Sequence, residues 1–216
     1  NFSLESLRCI LHKANDTQSK ILIDSEDFKS QKRIDPITLH MIRDQQFDHL
    51  IYTTYQMYRK DMLAKLSDDL HMFKSLGLQH NIKLVRGAYL FQDLHRNILH
   101  DTKTTTHCVY DQTVDNLLDY IQTNSNVNVM FASHNKNSIN KIKNITDDRI
   151  SHAFLMGMED HEMLTNKVTK FVHVPFGPYR KTFPYLFRRL IENNFLIDEL
   201  MTRKQKNLKK KPCLEF

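Results

Sequence analysis

The stretch IKLVRGAY, residues 82–89, contains the local signals that decide the fold. It opens with aliphatic residues, and Arg86 and Gly87 follow where the apolar run ends. A short apolar run bounded by a glycine is typical of a strand buried in a sheet. Gly87 permits either a sharp turn or the close approach of another group to the backbone. The stretch therefore predicts a buried strand with a charged side chain at its carboxyl end.

Runs of this kind recur along the chain and alternate with longer amphipathic stretches. The predicted strands are KILID (20–24), HLIYTTY (49–55), IKLVRGAY (82–89), VNVMFAS (127–133), ISHAFLM (150–156) and KFVHVPF (170–176). The predicted helices are SLESLRCILHKAN near the start of the chain and residues 36–46, 58–77, 107–122 and 136–144. Strands that alternate with helices predict a parallel sheet, as either a barrel or a doubly wound sheet.

Two of the predicted helices carry recognisable capping residues at one end. Asp35 and Pro36 suit the start of the 36–46 helix, with Asp35 as the cap and Pro36 in the first turn. Gly77 suits the end of the 58–77 helix, because glycine readily adopts the left-handed conformation of a C-terminal cap.

Polar residues or a glycine follow five of the predicted strands. They are Asp24, Gln56, Arg86, Ser133 with His134, and Gly157. Strands that deliver polar groups to one rim are typical of the mouth of a (β/α)8 barrel. A doubly wound sheet usually carries a glycine-rich phosphate loop, and the four glycines of this chain cannot form one. The sequence therefore predicts an α/β fold of the TIM-barrel type.

Composition limits the classes of protein to which the chain can belong. Its 216 residues are 40% hydrophobic and 26% charged, as expected of one soluble globular domain. No apolar run approaches the roughly 20 residues that span a bilayer. Three cysteines without CxxC spacing and twelve histidines without an HExxH motif predict neither a disulfide framework nor a metal site.

The net charge of +6 is concentrated near the end of the chain, in RKQKNLKKKP (203–212). We expect a barrel domain over residues 1–195 and a basic tail over residues 196–216. The tail is either solvated or in contact with an anionic membrane surface. The remainder of the chain has balanced charge and no basic–aromatic stripe, so a nucleic-acid partner is not expected.

The stretch YLFRRLIEN, residues 185–193, predicts a helix with two different faces. Tyr185, Arg188, Arg189 and Glu192 share one flank at helical spacing. One interpretation is a solvated face with an Arg188–Glu192 ion pair. The other is a functional arginine pair, and the choice depends on the rest of the chain.

Seven motifs, taken in chain order, closely resemble the catalytic barrel of proline dehydrogenase, most of all the eukaryotic-type enzymes. They are LIDSED, TTYQMY, KLVRGAYL, FASHN, LMGMEDH, VPFGP and PYLFRRLIEN, and they extend from about residue 20 to residue 195. The resemblance implies an FAD-dependent enzyme that oxidises L-proline to 1-pyrroline-5-carboxylate and passes the electrons to a quinone. It also implies a mitochondrial location, although this chain shows no transit peptide.

The resemblance assigns a role to each matching residue. Asp24 and Lys83 would lie in the catalytic pocket. Residues implied to bind the substrate are Arg188 and Arg189 at its carboxylate, Glu192 as their support, Tyr185 beside the ring, and His173. Residues implied to contact the flavin are Ser25, Gln56, Lys83, Arg86, Gly87, Ala88, Ser133 and His134.

The chemistry of proline oxidation suits these residue types. Two guanidiniums bind a carboxylate with directional, bidentate hydrogen bonds. A cation near the flavin stabilises its anionic reduced form. Lys83 and Arg86, three apart on a strand, point to opposite faces unless the strand ends near Arg86. A solvent-facing Lys83 and a core His134 remain the alternatives.

Three departures from the family pattern leave other functions open. The family's first barrel strand, which carries a lysine, has no candidate here. The family's tyrosine before VPYG is replaced by His173, and the LLGM motif reads LMGM followed by Glu159. The alternatives are therefore a hydroxyproline dehydrogenase and a degenerate barrel that binds flavin or partners without turnover.

Overall fold

The computed structural model describes residues 4–44, 46–156 and 167–192, with the side chains at 181, 185 and 188–192 left out of the description. The chain divides into two compact units, Asn1–Val172 and His173–Phe216. The predicted boundary at residue 195 and the basic tail lie outside the described residues.

Within the described ranges, the sheet has six strands. They are β1 (Ile21–Ile23), β2 (Ile51–Gln56), β3 (His80–Val85), β4 (Val127–Ala132), β5 (Ile150–Leu155) and β6 (Thr169–His173). Their spatial order equals their chain order, and each pair from β1 to β5 is parallel. A sequential parallel order is that of an α/β barrel, whereas a doubly wound sheet reverses direction. The six predicted strands and the fold class are confirmed.

A contact between the first and last strands shows that the sheet curls. In a flat sheet β1 and β6 would lie about 24 Å apart, because neighbouring strands are spaced by about 4.8 Å. The ammonium of Lys20, just before β1, lies 5.2 Å from the centre of the Phe171 ring on β6. The same ammonium lies 5.3 Å from the Tyr52 ring on β2 and donates to its hydroxyl. The two edges of the sheet therefore approach each other.

In the first unit, helices pack against one face of the sheet. The described helices are α1 (Leu4–Asp16), α2 (Phe28–Ile42), α3 (Met62–Leu76), α4 (Leu90–Asp93), α5 (Lys103–Thr123), α6 (Lys136–Ile142) and α7 (Tyr179–Glu192). A 3₁₀ turn, Leu94–Arg96, follows α4. The short α4 was not predicted, whereas Gly77 caps α3 as expected, with a φ of 65°. No helix in the described ranges is long and apolar enough to cross a membrane.

The predicted start of the second helix is wrong. Helix α2 begins at Phe28, where the Asp27 side chain accepts hydrogen bonds from the backbone N–H groups of Lys29 and Ser30. Pro36 lies inside this helix rather than in its first turn. The earlier cap is preferred because Asp27 satisfies two backbone donors that would otherwise lack a partner.

Two apolar clusters of described residues hold α1, α2, α3, α5 and α6 against the sheet. In the larger one, α5 contributes Tyr110, Val114, Leu117 and Ile121, which recur at helical spacing and face β2–β5. The smaller one joins α1 and α2 to β2 and α3. Burial of each such aliphatic side chain contributes roughly 1.5–3 kcal/mol. These layers fix the sheet, so the carboxyl ends of the strands and the loops after them form one rim.

Helix α7 belongs to the second unit and confirms the predicted helix around residues 185–192. Its described apolar side chains form a stripe in which Tyr179, Phe183 and Phe187 follow one another, with ring centres 5.1 and 6.0 Å apart. Phe183, Leu186 and Phe187 each expose about half of their surface.

Candidate active site

The rim at the carboxyl ends of β1–β4 brings the predicted site residues of the first unit together. Asp24 and Ser25 follow β1, Gln56 ends β2, and Lys83 lies near the end of β3. Arg86, Gly87 and Ala88 follow β3, and Ser133 and His134 follow β4.

An ion pair between Lys83 and Asp24 crosses the inner face of the sheet. The Lys83 ammonium lies 2.5 Å from a carboxylate oxygen of Asp24. Ile82 and Leu84 point into the core below the helices, so Lys83 points to the opposite, inner face. Its side chain is 16% exposed and that of Asp24 is 67% exposed. The pair is therefore accessible from the rim on the side of the carboxylate.

Hydrogen bonds from β2 hold the loops on either side of it. The Gln56 amide nitrogen donates to the Glu26 carbonyl at 2.9 Å. Its amide oxygen accepts from the Ala88 N–H at 3.4 Å. On the first of these loops, the Ser25 hydroxyl donates to the Thr54 carbonyl at 2.5 Å. Gln56 is buried and uses both ends of its amide inside the protein, so it fixes the backbone of the two loops.

Arg86 turns away from the inner face and binds the helical layer. Its guanidinium donates to His107 Nδ1 at 2.7 Å, to Ser133 Oγ at 2.6 Å and to Ser138 Oγ at 2.7 Å. It also lies 3.5 Å from Asp111 and 4.0 Å from the centre of the Tyr110 ring. We call these six residues the Arg86 cluster. Lys83 and Arg86 therefore point to opposite faces, as their spacing predicts.

Burial and charge lower the pKa values of two groups in the Arg86 cluster, Arg86 and His107. Burial lowers the pKa of the Arg86 guanidinium, opposed by Tyr110 and Asp111. Burial and the positive charge of Arg86 lower the pKa of His107 below its usual value. Because His107 Nδ1 accepts from Arg86, the neutral ring carries its proton on Nε2. The cluster therefore favours a neutral His107.

Gly87 has a structural explanation within the chain. Its φ of 129° lies in the region that favours glycine, and a Cβ built on it would lie 1.5 Å from Cδ1 of Tyr58. The Tyr58 ring occupies the space beside Gly87, so a side chain there would displace the ring.

The two residues after β4 contact neighbouring strands. His134 Nε2 accepts from the Leu155 N–H of β5 at 3.2 Å. The Ser133 carbonyl lies 2.8 Å from Nε2 of the buried His152. These contacts fix both residues beside the carboxyl end of β5.

Part of the predicted site lies outside the described residues. The side chains of Tyr185, Arg188, Arg189 and Glu192 are among those not described, although the backbone of α7 places the four on one flank. Gly157 lies outside the described ranges as well. His173 is the last residue of β6 and is exposed.

No sequence pattern indicated Asp93, a fully buried carboxylate at the end of α4. It accepts from the Tyr58 hydroxyl at 2.8 Å and from the Phe28 N–H at 3.0 Å. These partners lie 35 and 65 residues away along the chain, so no local spacing marks the interaction.

A cavity of about 260 Å³ lies away from this rim, between α2, α3 and β2. Its charged lining groups are already paired, since Lys65 lies 2.8 Å from Asp69 and 3.7 Å from Asp35. The Tyr55 hydroxyl also donates to Asp69. The rim, with its accessible ion pair, is therefore the better candidate for the active site.

A parallel α/β barrel with polar side chains at the carboxyl ends of its strands has the architecture of the barrel enzymes. The family model described as proline dehydrogenase matches residues 2–199 of the chain. This chain belongs to the proline dehydrogenase family.

The chain is similar to several curated members of this family. It is 28% identical to bovine mitochondrial proline dehydrogenase 1, over 97% of this chain and 38% of the relative. It is 30% identical to hydroxyproline dehydrogenase of Xenopus laevis, over 95% of this chain and 48% of the relative. It is 32% identical to mitochondrial proline dehydrogenase 1 of Dictyostelium discoideum, over 82% and 35%. The chain thus spans between a third and a half of the length of these relatives.

Solved structures of proline utilization A (PutA) support the fold. Proline utilization A (PutA) from Bdellovibrio bacteriovorus, inactivated by N-propargylglycine, superposes with a TM-score of 0.74 at 17% identity. A PutA variant from Bradyrhizobium japonicum gives a TM-score of 0.74 at 19% identity. Each match covers 88% of this chain and 21% of the other protein.

Proposed function

We propose that this chain forms the catalytic barrel of a flavoenzyme that oxidises L-proline to 1-pyrroline-5-carboxylate in proline catabolism. The observation that carries the proposal is the Lys83–Asp24 ion pair, which lies on the inner face of the sheet at the carboxyl ends of the strands. Barrel enzymes place their reacting groups at this end. Membership of the proline dehydrogenase family supplies the substrate class.

The donor groups of the rim suit a flavin. An ammonium has three N–H donors, and among the described residues Asp24 takes one of those on Lys83. The residues proposed to hold FAD are Ser25, Gln56, Lys83, Arg86, Gly87, Ala88, Ser133 and His134. Because the Arg86 guanidinium is bound to the helical layer, we propose that Arg86 contacts the cofactor through its backbone. Bound FAD supplies the ring system that accepts a hydride.

Lys83 and Asp24 have complementary roles in this proposal. The Lys83 ammonium stabilises the negative charge that gathers on the cofactor as a hydride is transferred. Asp24 holds the ammonium in place, and its exposed side faces the rim, where it can accept a hydrogen bond from the substrate amine. A cation that is fixed before the reaction needs no reorganisation during it.

We propose that α7 binds the carboxylate of the substrate. Arg188 and Arg189 would hold it with bidentate hydrogen bonds, which a lysine ammonium does not match in geometry. Glu192 would offset their positive charge in the empty site. Tyr185 and His173 complete the proposed substrate contacts. Fixing the carboxylate orients the ring carbon from which the hydride leaves.

The electron acceptor and the location are further parts of the proposal. We propose a quinone as the acceptor, as the resemblance to proline dehydrogenases implies. We propose mitochondria as the location, since bovine and human relatives are named as mitochondrial proline dehydrogenases. A peripheral membrane contact through residues 203–212 would bring the enzyme to a quinone dissolved in the membrane.

Hydroxyproline is the second candidate substrate. A relative at 30% identity is named hydroxyproline dehydrogenase. We propose that His173, in place of the family's tyrosine, would bring a hydrogen-bonding ring to the substrate. Both amino acids share the carboxylate and the secondary amine, so Arg188 and Arg189 would serve either of them.

One experiment tests the proposal and separates the two substrates. The protein is purified at its full natural length, its visible flavin spectrum is recorded, and L-proline or trans-4-hydroxy-L-proline is added without oxygen. Bleaching by L-proline supports proline oxidation, and bleaching by hydroxyproline alone supports the second candidate. A yellow protein that neither amino acid bleaches is a degenerate barrel, and a protein without flavin contradicts both proposals. Arg188→Met or Arg189→Met should abolish bleaching while the flavin stays bound.

A further inference from the structure

We propose that Asp93 and Tyr58 are positioning residues, which set the distance between the loop that carries Asp24 and the loop that carries Ala88. This inference rests on the proposed function, because these loops hold the residues assigned to substrate and flavin. Neither residue is proposed to touch a ligand.

Asp93 joins the two loops through its carboxylate. The side chain is fully buried. One oxygen accepts from the Phe28 N–H at 3.0 Å, just after the Asp24 loop, and the other accepts from the Tyr58 hydroxyl at 2.8 Å. Asp93 is itself the last residue of α4, the short helix that follows the Ala88 loop. Its buried carboxylate therefore joins the start of α2 and the segment after β2 to α4.

Tyr58, which follows β2, also holds the loop that carries Ala88. Its N–H donates to the Arg86 carbonyl at 2.7 Å, and its ring fills the space beside Gly87. Burial and the neighbouring Asp93 raise the pKa of Tyr58 well above its usual value. The hydroxyl therefore remains a donor at any pH at which the enzyme works.

Three cations around the Phe28 ring strengthen the junction. Lys32 lies 4.6 Å, Arg59 4.8 Å and Arg96 5.5 Å from the ring centre. Arg96 also lies 3.8 Å from Asp93. The ring and the carboxylate together offset the positive charge of these side chains. Phe28 is thereby held at the start of α2.

A second connection between the loops is weaker. Gln56 links Glu26 to Ala88, but its bond to the Ala88 N–H is 3.4 Å long. Loss of Asp93 would leave the loops joined through this longer bond. Loss of Asp93 would therefore allow the loop that carries Asp24 and the loop that carries Ala88 to move relative to each other. Both the substrate-binding part and the flavin-binding part of the proposed site would change.

The matched variants are Asp93→Asn, Tyr58→Phe and Asp115→Asn. Asp93→Asn keeps the shape and removes the charge, and Tyr58→Phe keeps the ring against Gly87 and removes the hydroxyl. Asp115→Asn is the control, since Asp115 pairs with Lys141 at the surface and connects neither loop. Tyr58→Phe also serves if Asp93→Asn does not fold.

The first readout needs no flavin. Hydrogen–deuterium exchange of the apoprotein is followed in residues 24–28 and in residues 86–93. We expect Asp93→Asn and Tyr58→Phe to speed exchange about tenfold in both segments together, as loss of a buried charged hydrogen bond predicts. Asp115→Asn should leave the exchange rates of both segments unchanged. Exchange that rises in one segment only, or equally in the control, overturns the inference even if the protein binds no flavin.

The second readout uses the flavin-loaded protein. If the proposed function holds, Asp93→Asn should weaken FAD binding about tenfold, lower kcat for proline more than it raises KM, and change the visible circular dichroism of the flavin. A lower melting temperature with unchanged flavin spectrum and kcat would show a structural role alone and overturn the inference. A wild-type protein that fails to bleach contradicts the proposed function, and the exchange result stands separately.

Discussion

Lys83 and Arg86 are two cations, three residues apart, with opposite surroundings. Lys83 has one ion-pair partner among the described residues, Asp24, and that partner is largely exposed. Arg86 donates to acceptors on α5, on α6 and just after β4, and it stacks on Tyr110. The sequence assigned both cations to the flavin. The structure separates a cation with one hydrogen-bond partner among the described residues, Lys83, from a cation whose guanidinium donates to several acceptors, Arg86.

The difference distinguishes a site from its support. A cation can stabilise charge on a ligand only if some of its donors still face that ligand. A guanidinium whose donors are used internally instead fixes the elements around it. Lys83 therefore belongs to the proposed chemistry, and the Arg86 side chain belongs to the support of the rim.

Replacing Arg86 should have the largest effect on stability. We expect Arg86→Met to lower the free energy of unfolding by about 2–4 kcal/mol, because it leaves buried acceptors without their donor. Urea denaturation measures this change. Lys141→Met is the matched control, since Lys141 pairs with Asp115 at the surface and should contribute less than about 1 kcal/mol. Equal losses in the two variants would contradict the distinction.

Replacing Lys83 should act on the flavin instead of the fold. We expect Lys83→Met to make the reduction potential of bound flavin more negative by about 30–60 mV, or roughly 1.4–2.8 kcal/mol for two electrons. Lys83→Arg keeps the charge and should keep the potential. Spectroelectrochemical titration of the three proteins measures the shift. An unchanged potential in Lys83→Met would remove this residue from the proposed site.

Acidification should weaken the Arg86 cluster. The folded pKa of His107 is depressed, so below its usual value of 6.5 the unfolded chain binds the proton first. Stability is therefore full above pH 6.5 and falls as the pH decreases through the folded pKa. His107→Asn keeps an acceptor for Arg86 without titrating, so its free energy of unfolding should change less between pH 7 and pH 5. Parallel curves for both proteins would refute this explanation.

The smallest effect should come from Asp24. Because this carboxylate is 67% exposed, Asp24→Asn should change the free energy of unfolding by no more than about 0.5 kcal/mol. Thermal and urea unfolding check this value. A loss as large as that of Arg86→Met would make the ion pair a structural element.

Local patterns predicted the strands but not the contacts between distant residues. Short, mostly apolar runs between the helical stretches indicated all six strands. Burial in a parallel sheet favours such continuous apolar runs. Asp35 and Pro36 misplaced the start of α2, since Asp27 offered an earlier cap. The short helix α4 has too few residues to show a period.

The candidate site was predicted only in part, because several of its contacts join residues that are far apart in the sequence. The motifs located the rim residues, yet the assignment of Arg86 depends on partners up to 52 residues away. The junction of Tyr58 with Asp93 spans 35 residues and brings together different loops. Such pairings arise only when the sheet has formed.

The most direct test is the rate of anaerobic flavin bleaching by L-proline in wild type, Lys83→Met and Arg86→Met, at a temperature at which all three are folded. We expect the wild type to bleach, Arg86→Met to bleach at a rate within about tenfold of it, and Lys83→Met to be slower by about 10²–10³-fold. If Lys83→Met bleaches like the wild type while Arg86→Met does not, the proposed site is wrong.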